Sequence, residues 1–132
     1  MYLKKDEITF LFDSSNPRDQ KTLAFASSIS NKINKQDLRS GDVSATLFRM
    51  MIDRLGGEVK TVINKSVPFY QSDLRDSELS FRMWLSILKQ KPELLKAPIA
   101  MCKDRIIVCN TPTDIYKLST EAAASIQILD EK

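Results

Sequence analysis

Two cysteines, Cys102 and Cys109, stand in this 132-residue sequence without a single histidine. That combination is restrictive. It excludes Ser-His and Cys-His nucleophile pairs and any imidazole metal site, and two sulfurs cannot complete a four-ligand zinc site. Thiol–disulfide exchange at one or both cysteines is the chemistry left open. A second group, Ser14, Ser15, Asn16, Arg18 and Lys21, surrounds an expected helix start. Unpaired N–H groups there, lined by hydroxyls, can hold an anion. The simpler reading is ordinary capping with a solvated first turn, and the residue types favour it. Serine catalysis has no support, because neither a histidine nor an adjacent lysine base accompanies Ser14 or Ser15.

The elements that would position these groups follow from pattern. Residues 8–12 form a short apolar run of β-formers, a strand that ends at Asp13-Ser14-Ser15-Asn16-Pro17. Asn16 is a good N-cap and Pro17 suits the first helical position, so a helix is expected to residue 28. Residues 33–38 read as a polar, edge-like strand. Ser44 caps a helix with Leu47, Met50, Met51 and Leu55 on one face, closed by Gly56 and Gly57. A short helical piece is expected over 58–64, then an extended loop at Val67-Pro68-Phe69-Tyr70. Ser77 starts a helix carrying Phe81, Trp84, Leu85 and Leu88 at helical spacing, a stripe that core packing explains. Phe69 and Tyr70 are better candidates for an exposed contact. A turn at 92–95 precedes strands at 98–102 and 105–109 around Lys103-Asp104, and Thr111-Pro112 opens a last helix with Ile115, Tyr116 and Leu118. The tail, 119–132, is expected to be helical or frayed.

This order predicts one α/β domain over 1–132, a central mixed sheet covered by helices. On the hairpin register of a two-residue turn, Cys102 opposes Arg105 and Cys109 opposes Pro98, which sets the sulfurs about 13 Å apart, too far for a disulfide. Both cysteines then read as small buried apolar groups, with Cys109 the better candidate for reactivity because it lies near the sheet end.

Composition limits the partners. The net charge of +3 comes from Lys and Arg scattered among acids, with no run suited to a phosphate backbone, so direct nucleic-acid binding is not expected. The apolar runs are far short of a membrane span, and the charged first residues precede no apolar stretch, which points to the cytoplasm.

Two segments resemble the arsenate reductase/Spx family of thioredoxin-fold proteins. One is Ile8-Thr9-Phe10-Leu11-Phe12-Asp13-Ser14-Ser15-Asn16-Pro17 with Thr22-Leu23; the other is Pro92-Glu93-Leu94-Leu95-Lys96-Ala97-Pro98-Ile99-Ala100 with the hairpin and Thr111-Pro112. Between them, Asn64-Lys65-Ser66-Val67-Pro68-Phe69-Tyr70 is similar to a basic segment of that family. The resemblance implies a thioredoxin-like fold with a helical insertion before a C-terminal hairpin and helix. It also implies a cis bond before Pro98, facing the active-site loop. The family's nucleophilic cysteine matches Asn16, which can cap a helix but cannot become a thiolate. Its three oxyanion-binding arginines match Asn64, Ala97 and a position at or near Asn110, none of them basic.

The expectation is therefore a non-catalytic binding or regulatory module, a pseudoenzyme without a cofactor or metal. It would use the former active-site face: Ser14, Ser15, Asn16, Arg18, Asn64, Ala97, Pro98 and Asn110. Spx-like proteins bind RNA polymerase, so the resemblance extends to a protein partner in the transcription machinery. The alternative is an oxidoreductase of the arsenate reductase or glutaredoxin type, with chemistry moved to Cys109 or Cys102 and glutathione as its reductant.

Overall fold

The computed structural model describes residues 6–40 and 42–119. Strand β1 (Glu7–Phe12) leads through a four-residue turn into helix α1 (Pro17–Ile29) and then strand β2 (Lys32–Asp37). Helices α2 (Ala45–Arg54) and α3 (Phe81–Gln90) follow, and strands β3 (Ile99–Cys102) and β4 (Arg105–Val108) complete a sheet of order β2-β1-β3-β4. β2 runs parallel to β1, while β3 is antiparallel to both β1 and β4. The sheet is mixed, as the βα opening and C-terminal hairpin require.

The two central strands are buried on both faces, and strand periodicity sorts their side chains. Ile8, Phe10 and Phe12 of β1, with Ala100 and Cys102 of β3, face a cluster that includes Ala26 and Ile29 of α1 and Ile115 and Leu118. Leu11, Ile99 and Met101 face the opposite cluster, with Phe48, Met51, Ile52, Trp84, Leu85 and Leu88 of α2 and α3. α1 and the C-terminal 3₁₀ helix (Pro112–Leu118) thus cover one face, and α2 with α3 the other. Among the described residues no helix is long and apolar enough to cross a membrane.

Several local expectations hold in detail. Asn16 and Ser44 cap α1 and α2 through their side chains. Gly56 and Gly57 leave α2 at φ of 113° and 91°, the left-handed region where a side chain would be strained. The hairpin has the expected register: Cys102 pairs with Arg105, and the Cys109 N–H donates to the Pro98 carbonyl at 2.8 Å.

Other expectations need correction. α3 begins at Phe81, capped by Ser80, whose oxygen accepts from the Met83 N–H at 3.2 Å. Ser77 closes the preceding turn instead, donating through its N–H to Leu74 and through its hydroxyl to Asp73. Pro68 and Phe69 are helical and run into a π-helical turn, Tyr70–Leu74. A proline restricts the residue before it but is itself suited to a first helical position. Tyr70 is consequently a buried core residue, and Phe69 is half-buried with the Lys91 ammonium 4.8 Å from its ring centre. On α2 the buried stripe is Phe48, Met51 and Ile52, and Met50 lies outside it, exposed. No peptide bond among the described residues is cis, so Ala97–Pro98 is trans, contrary to the resemblance. The expected helical or frayed tail falls outside the described residues, apart from Ser119.

Candidate functional site

The turn between β1 and α1 is held almost entirely by this chain's own carboxylates. Asn16 sits in extended conformation (φ −92°, ψ 118°), and its side-chain oxygen accepts from the Arg18 N–H at 2.8 Å. The other N–H groups of the turn are also taken. Asp13 donates to Asp19 Oδ2 (3.0 Å), Ser14 to Asp37 Oδ1 (3.2 Å), Ser15 to Asp13 Oδ1 (3.0 Å), and Asn16 to the Asp13 carbonyl (3.0 Å). Pro17 has no N–H to offer. A turn of this kind concentrates donors and can hold a bound anion. Here its donors converge on acceptors built into the chain.

Guanidinium groups complete the arrangement. Arg39 Nε bonds Asp13 Oδ1 at 2.8 Å, a carboxylate that also accepts from the Ser15 hydroxyl at 2.8 Å. Arg18 turns back onto Asp19 Oδ1 through Nε and Nη2 at 3.2 and 3.0 Å. Burial pushes the Asp13 carboxyl up, but hydrogen bonds from Arg39 and from the side chain and N–H of Ser15 outweigh it, leaving the group below its ordinary value. Asp19, only 1 % exposed, goes the other way: burial raises it beyond what the Asp13 N–H and Arg18 can offset.

These opposite shifts fix a pH dependence. Folded Asp13 is more acidic than unfolded Asp13, so its contribution is present above about pH 3.8 and is lost as pH falls through the folded value. Folded Asp19 binds its proton more readily than the unfolded residue. Its stabilising neutral form is complete below the unfolded value of 3.8 and is lost as pH rises through the higher folded value. Urea midpoints measured from pH 3 to 7 are expected to rise with pH on the acidic side of 3.8 and to lose an opposing slope above it in Asp19→Asn. An unchanged slope above 3.8 in that variant would remove Asp19 from the account.

The remaining members of the expected face fall into two places. Asn64 is half-buried; its side-chain oxygen accepts from the N–H and hydroxyl of Ser66 at 3.1 and 2.7 Å. Its N–H donates to the Leu94 carbonyl at 2.7 Å, alongside a bridge between Ile63 and Leu95 that leads to the buried Ala97. Pro98 is buried and tied to Cys109, while Asn110 is exposed just beyond. Ser14, Ser15, Asn16 and Arg18 form one unit; no hydrogen bond joins Asn64 to it among the described residues. Glu93, before Ala97, does contribute to the field on Arg39.

Cys109 belongs to the α1-side core. Burial, with the carboxylates of Asp114 and Asp19 adding to it, pushes its thiol up to about 12. Cys102 is raised as well, first by burial and then by Asp6. Neither is activated. Among the described residues no cluster of three or more His, Cys, Asp or Glu is arranged to hold a metal ion.

Sequence reasoning passed over Asp13, Asp19, Asp37 and Arg39. A local signal for Asp19 existed, since an acid three residues after an N-cap is the capping-box spacing. Asp37 and Arg39 reach the turn only through the parallel register that sets Asp37 beside Phe12.

No protein-family model matches the chain, nor does any curated protein. Solved structures do. The arsenate reductase of Vibrio cholerae is 19% identical and superimposes with a TM-score of 0.65, covering 86% of this chain and 98% of its own. A proposed arsenate reductase from Yersinia pestis gives 15%, 0.66, 83% and 98% in the same terms, and a possible arsenate reductase from Streptococcus mutans 20%, 0.55, 78% and 89%. The fold is that of the arsenate reductases. Within that arsenate reductase fold the β1–α1 turn here carries an asparagine cap and a shell of internal carboxylates.

Proposed function

We propose that this chain is a non-catalytic protein of the arsenate reductase fold that binds a protein partner through the face around the β1–α1 turn. The observation that carries the reading is the occupation of the turn's N–H groups by Asp13, Asp19, Asp37 and Asn16. An incoming oxyanion would have to displace carboxylates whose guanidinium partners are already engaged. Asn64, Ala97 and Asn110 supply no replacement cation, and burial raises both thiols above their ordinary value. What stays accessible at the turn is the surface of Ser15, Pro17, Gln20 and Lys21, suited to contact rather than turnover, and Asn110 is exposed just beyond Cys109. A partner in the transcription machinery is the specific form of the proposal that the Spx resemblance supports.

Two measurements test it together. Glutathione- or thioredoxin-coupled reduction of arsenate and of mixed disulfides is expected to show no turnover, in the native chain or in Cys102→Ser/Cys109→Ser. Turnover lost in the double variant would replace this reading with the relocated-thiol oxidoreductase. Affinity capture from a lysate is expected to yield a partner that Lys21→Glu/Asn110→Arg releases. Both positions are exposed and outside the buried acid network, so a partner retained by that variant would move the interface elsewhere.

A further inference from the structure

We draw no further inference here: the strongest candidate, the recess of about 240 Å³ lined by Lys60, Lys65 and Lys96 beside the Ile63–Leu95 bridge, rests on two exposed lysines alone, because the Lys60 ammonium is held on the Arg75 carbonyl at 2.7 Å and no buried polar side chain lines it among the described residues.

Discussion

Asp13→Ala is expected to lower the unfolding free energy by about 2–4 kcal/mol, read as a lower urea midpoint at an unchanged slope. The Asp13 side chain is 6% exposed, and one of its oxygens accepts from the Ser15 N–H, the Ser15 hydroxyl and Arg39. Alanine leaves the Ser15 N–H without its acceptor in a part-buried turn and leaves Arg39 facing the hole. Loss of a charged acceptor with its partners left behind costs more than removal of the whole group of residues, because the desolvation of those partners is no longer offset. Asp13→Asn separates the terms. It keeps an oxygen for Ser15 and gives up only the ionic part, so it should recover a large share of the loss. If Asp13→Ala were within about 0.5 kcal/mol of native, as surface substitutions usually are, the turn would owe its shape to the Asn16 cap alone.

What the sequence made legible follows the range of the interactions involved. Asn16 with Pro17, Ser44 with Gly56-Gly57, and the hairpin around Lys103-Asp104 are each decided within a few residues, and each stands in the structure as read. Ser77 misled because Ser77 and Ser80 are both competent caps, and the choice depends on where the preceding π-helical turn ends. Tyr70 misled in a related way: its burial is set by the pocket it fills between elements distant in sequence. At the site, the Asn16 cap was visible in the sequence. The closure of the turn was not, because it rests on Asp37 and Arg39, which a parallel pairing about 25 residues away brings there.

Cys109 is expected to react with iodoacetamide at pH 7 on the order of a thousandfold more slowly in the folded protein than in denaturant. The thiolate is the reacting species. With the thiol pushed up to about 12, roughly one molecule in 10⁵ carries it at pH 7, against a few per cent for an ordinary thiol near 8.5. Reaction through global unfolding does not shorten this interval, since stabilities of about 5 kcal/mol or more expose the thiol only about once in 10⁴. Cys102, at the hairpin end, is also raised and should be slowed less. Mutual oxidation offers neither cysteine an escape, because the observed register keeps them at opposite ends of the strand pair. A folded-state rate equal to that of the denatured thiol would mean that Cys109 reaches solvent as a thiolate, and the non-catalytic reading would then fail at its chemical premise. Slow alkylation of both thiols, beside an Asn16 that cannot ionise, is the result on which the proposed non-catalytic reading depends.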